Sequence, residues 1–80
     1  MTPEEYSKLH QKAFRCAFDF LNAHFPPEDS DEWWNQTAQD CSTASVAFGE
    51  TPIVIELLNA IMNYLGEEHN RRYSNGTVNH

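Results

Sequence analysis

Prolines stand together at Pro26-Pro27, and another follows at Pro52 shortly after Gly49, so they divide the chain into stretches whose interiors carry none. A proline inside a helix removes one ladder hydrogen bond and clashes with the preceding turn, at a cost of about 3 kcal/mol. No helix runs through either break. The fold question becomes what each stretch forms by itself.

The first stretch opens Thr2-Pro3-Glu4-Glu5, with a capping hydroxyl, a proline at the first helical position and a glutamate three residues after the cap. These signals predict a helix from about Pro3 to His24. At about 100° per residue, Tyr6, Leu9, Ala13, Phe14, Cys16, Ala17, Phe18, Phe20, Leu21 and Phe25 fall on an arc of roughly 200°, opposite a polar stripe that includes Lys8, Lys12 and Asp19. The acids from Glu28 to Glu32 suit the positive end of a second helix capped by Ser30 or Asp29, running from about 30 to 48 and closed by Gly49. Its apolar face, Trp34, Ala38, Cys41, Ala44 and Phe48, is narrower, and Ser42 and Thr43 are modest helix formers, so it is the helix expected to fray. Thr51-Pro52 repeats the cap-and-proline signature ahead of a third helix, from about 52 to 68, with apolar side chains over an arc of roughly 220°. A buried strand at Ile53-Val54-Ile55 competes locally, but the unbroken continuation to Leu65 favours helix. The expected fold is therefore all-α, a three-helix domain over 1–72 with a loose tail from Tyr73 to His80.

Composition then limits function. Twelve acidic against five basic side chains give a net charge of −7, which opposes nonspecific binding to nucleic acid or an anionic membrane. No stretch approaches the roughly 20 apolar residues of a membrane span, and the acidic start is unlike a secretory signal, so a cytosolic protein is expected. Asn35-Gln36-Thr37 and Asn75-Gly76-Thr77 then read as chance matches to a glycosylation pattern.

Nothing in the sequence spells catalysis. His10, His24, His69 and His80 lack metal-ligand spacing, and Cys16 and Cys41 stand too far apart for a zinc pair, so no metal or other cofactor is expected. An antiparallel hairpin of the first two helices would bring the thiols nearly level, but two small buried apolar residues explain them more simply. With glycine only at Gly49, Gly66 and Gly76, there is no phosphate-binding loop. Lys8, Lys12 and Arg15 form a short basic line, bracketed by Glu4 and Asp19 as a solvated, partly paired face would be.

The informative excess is apolar width, because a helix in a small bundle needs little more than about 100° of apolar face. Steeply crossed helices would bury the surplus internally; otherwise a partner covers it. The sequence reading is a non-catalytic helical interaction or regulatory module, forming a homodimer or meeting another protein through Phe14, Phe18, Trp33, Trp34, Ile55 and Met62. Its first rival is an acidic inhibitor that mimics nucleic acid and blocks a basic site on another protein. Its second is a small enzyme or metal-binding protein.

Overall fold

A computed structural model describes residues 1–73. It contains helices α1 (Pro3–Ala23), α2 (Asp31–Ala47) and α3 (Pro52–Tyr73), with no strand among the described residues, so the Ile53–Ile55 run is helical. The N-terminal signals act as their chemistry requires. Thr2 Oγ1 accepts from the Glu5 amide at 3.2 Å while Glu5 Oε1 accepts from the Thr2 amide at 2.8 Å, closing a capping box. These bonds hold the Glu5 carboxyl below its ordinary range. Ser30 Oγ accepts from the Trp33 amide at 3.0 Å and caps α2.

The end of α2 is a Schellman turn: the Gly49 amide donates to Val46 O at 2.9 Å and the Glu50 amide to Ser45 O at 2.8 Å. Gly49 has φ +80°, where glycine alone is unstrained, but Glu50 follows at φ +53° with a side chain that disfavours that region.

α3 departs from expectation at its end, continuing through Gly66 to Tyr73 rather than stopping near residue 68. A helical glycine costs about 1 kcal/mol relative to alanine. Against that cost, Arg71 and Arg72 both reach Glu68, at 2.9 and 3.5 Å, and their charge suits the carbonyl end of the helix. Tyr73, expected to open the tail, instead donates its hydroxyl to Pro27 O at 3.4 Å. The rest of the expected tail, 74–80, lies outside the described residues.

The core is small and built mainly between α1 and α3, from Ala13, Phe20, Val54, Leu58 and Leu65. Beyond the end of α1, Phe25 stacks on Tyr64 with ring centroids 6.0 Å apart, and the Arg72 guanidinium lies 5.4 Å from the Phe25 ring centre. α2 lies over this pair through half-buried Trp33, Trp34, Cys41 and Ala44, and the residue it buries fully is Thr37. The first turns of α1 contribute nothing fully buried before Ala13. They extend past the core, and the molecule measures 55 × 22 × 17 Å. Its radius of gyration is 15.1 Å, against about 12 Å for a compact chain of this length.

Candidate interaction surface

The six residues that the apolar excess singles out fall into two groups. Phe14 is 58% exposed and Phe18 56%, both on the flank of α1 that turns away from the core, and Ile55 is also exposed. Trp33, Trp34 and Met62 are half-buried and pack against the core. The adjacent tryptophans point to different neighbours, as residues about 100° apart on a helix must. Trp33 meets His24 at the end of α1, Trp34 meets His69 on α3, and the two indoles touch edge-to-face at 4.7 Å.

Tyr6 joins the exposed group at 49% exposure. With Pro3, Ser7, His10, Gln11 and Phe14 it lines an open groove of about 570 Å³ along the free half of α1. Tyr6 and Phe14 lie two turns apart with His10 between them, as an i, i+4, i+8 row on a helix does. Sequence reasoning named Phe14 and Phe18 because they widen the apolar arc. It missed the groove, which depends on α3 beginning too late to cover the start of α1.

A polar site joins the other end of α1 to α2. His24 Nδ1 lies 2.7 Å from Phe20 O and Nε2 lies 2.9 Å from Asp40 Oδ2, with the imidazole stacked on Phe20. Gln36 donates to the other Asp40 oxygen at 2.9 Å. His24 first and Gln36 second hold the Asp40 carboxyl below its ordinary range. His69 Nε2 lies 2.8 Å from Asp29 Oδ1 and ties α3 to the turn before α2. Among the described residues, these two histidine–carboxylate contacts link one element to another, whereas the arginine ion pairs stay within one helix.

The thiols do not add chemistry to this site. Cys16 lines a hollow with Asp19, His24, Asp40 and Thr43, but eight residues of helix place it roughly 12 Å along the axis from His24. Cys41 faces a different hollow, beside Ile55 and Leu58, and burial raises its pKa, which disfavours a nucleophilic thiolate. Both cysteines are free. No cluster of three or more metal-ligating side chains occurs among the described residues, and no helix among them is long and apolar enough to cross a membrane. No protein-family model, curated protein or solved structure matches the chain, so a functional reading rests on its own surface.

Proposed function

We propose that this chain is a non-catalytic, cytosolic interaction module that self-associates through the free flank of α1. The observation that carries this reading is the row of Tyr6, Phe14 and Phe18, three aromatic rings about half outside, on a helix whose first turns no other element covers. An aromatic side chain presents 150–250 Å², so each ring has on the order of 100 Å² left to bury. Six rings in a pair of chains amount to about 600 Å², roughly half of what a small stable interface buries. Pro3, Ser7, His10 and Gln11, beside the rings in the groove, supply further area. At about 25 cal/mol per Å² the rings alone contribute roughly 15 kcal/mol, enough to offset an association cost of about 4–15 kcal/mol.

The basic line of Lys8, Lys12 and Arg15, with Glu4 and Asp19 beside it, lies on the polar stripe opposite the apolar arc and stays in solvent when the aromatic flank is covered. The net charge of −7 per chain opposes the approach of two copies, and salt screens that repulsion. Sedimentation across protein concentration is expected to give a dimer that tightens when salt is raised from low to moderate. A monomer at high concentration under both conditions overturns the reading.

A further inference from the structure

We propose that Trp33, Trp34 and Tyr73 form a path for an oxidising equivalent, which makes Tyr73 the residue where one-electron oxidation of this chain comes to rest. The inference does not depend on self-association. Its basis is a row of rings running from α2 to the end of α3. The two indoles touch at 4.7 Å between ring centroids, Trp34 meets His69 at 5.6 Å, and His69 meets Tyr73 at 5.0 Å. All three steps fall within the about 4.5–7 Å at which aromatic rings make contact. His69 and Tyr73 are i, i+4 neighbours on one face of α3, so the row exists because that helix continues through Gly66. Asp29, 2.8 Å from His69 Nε2, holds the bridging imidazole between indole and phenol.

Exposure alone does not single out Tyr73, since Tyr6, Tyr64 and Tyr73 are 49%, 41% and 46% exposed. Their neighbours do. Tyr6 lies beside His10 and Tyr64 stacks on Phe25, whereas Tyr73 stands one imidazole away from an indole. Both tryptophans pack half-buried against the core, so a radical on either is partly shielded from other molecules while Tyr73 faces solvent. The step balances with a one-electron oxidant such as the azide radical, which takes an electron from an indole and becomes the anion. The indole N–H proton passes to water. The neutral indolyl radical then takes an electron from the Tyr73 phenol and a proton from water, and the phenol proton leaves to solvent. Its hydrogen-bond partner Pro27 O is a carbonyl, which accepts the bond but does not take up the proton. At neutral pH a phenol that can lose its proton is easier to oxidise than an indole, so transfer runs toward Tyr73. Two tyrosyl radicals from different chains couple ring carbon to ring carbon and re-aromatise as dityrosine, with no further redox change.

The test is pulse radiolysis of the full chain in azide solution, whose radical attacks indole selectively, with absorption followed at the indolyl and tyrosyl bands. In the parent the indolyl band is expected to decay as the tyrosyl band grows, at a rate independent of protein concentration. Tyr73→Phe is expected to lose that phase, while a chain carrying both Tyr6→Phe and Tyr64→Phe keeps it at an unchanged rate. Peptide mapping of the parent after steady irradiation is expected to find dityrosine at Tyr73. A phase that survives Tyr73→Phe, one that disappears from the Tyr6→Phe, Tyr64→Phe chain, or a rate that rises with protein concentration overturns the path. So does dityrosine spread over the three tyrosines in proportion to their exposure.

Discussion

Replacing Phe14 by alanine separates an interface side chain from a core one, because the two roles predict opposite results. The ring is 58% exposed, so on the order of 100 Å² remains to be buried by a partner. At about 25 cal/mol per Å² that is roughly 2.5 kcal/mol per ring, and a two-fold dimer loses two rings, or about 5 kcal/mol. Such areas are upper bounds, so a loss of about 4 kcal/mol is the working figure, a weakening of roughly a thousandfold in dissociation constant. Within one protomer the same change removes few contacts and replaces phenylalanine by the strongest helix former, a gain of about 0.5 kcal/mol. Sedimentation equilibrium of Phe14→Ala should therefore show monomer where the parent is dimeric. Thermal melting followed by circular dichroism, at a concentration where both are monomeric, should give a midpoint equal to or slightly above that of the parent. An unchanged dissociation constant, or a midpoint several degrees lower in the dilute monomer, would refute the reasoning, the second by placing Phe14 in the core.

Three further outcomes test the fold. Leu65 is fully buried between α1 and α3, and Leu65→Ala should cost about 2–5 kcal/mol, measurable by urea unfolding, whereas a loss under 1 kcal/mol would mean that the core is not where it is described. Gly49→Ala should cost about 1–2 kcal/mol from backbone strain alone, since nothing lies within 4 Å of the added methyl, and Glu50→Gly should stabilise by relieving φ +53°; equal stability of parent and both variants contradicts the Schellman turn. Because the folded-state pKa of Asp40 is depressed, its bond to His24 contributes stability above the ordinary carboxylate range and loses it as pH falls through the folded value. Asp40→Asn should therefore be less stable than the parent near neutrality and converge on it in acid, and a constant gap across that range contradicts the pairing.

Much of this architecture is written locally. The caps at Thr2 and Ser30 and the stops at Pro26 and Gly49 are properties of a few adjacent residues, and the helices begin and end close to them, whereas Thr51, read as a third cap, turns its hydroxyl back to donate to Phe48 O at 3.2 Å. The end of α3 is not local, for Gly66 reads as a stop until Glu68, Arg71, Arg72 and the distant Pro27 carbonyl are seen to hold the helix beyond it. Apolar periodicity identifies faces but does not say which are covered. Phe14 and Phe20 read alike on the sequence, yet Phe20 is buried and Phe14 is not, because α3 lies against one flank of α1 and leaves the other. Trp33 and Trp34 illustrate the same limit from the other side, as adjacent residues of α2 whose half-burial depends on the ends of α1 and α3. The His24–Asp40 pairing joins residues sixteen apart and has no signature in spacing.

The thin attachment of α2 has a consequence for how the molecule breathes. Its fully buried residue is the polar Thr37, while the apolar core passes chiefly between α1 and α3. Amide protons of α2 should exchange with solvent through partial openings well below the energy of global unfolding, while those around Leu58 and Leu65 wait for the whole chain to open. Each opening bares the far side of Phe20 and parts Trp33 from His24, so this one helix sets how often the interior meets water. Transient sensitivity to proteases and exposure of an aggregation-prone surface would then follow the lifetime of α2 rather than the overall stability of the fold.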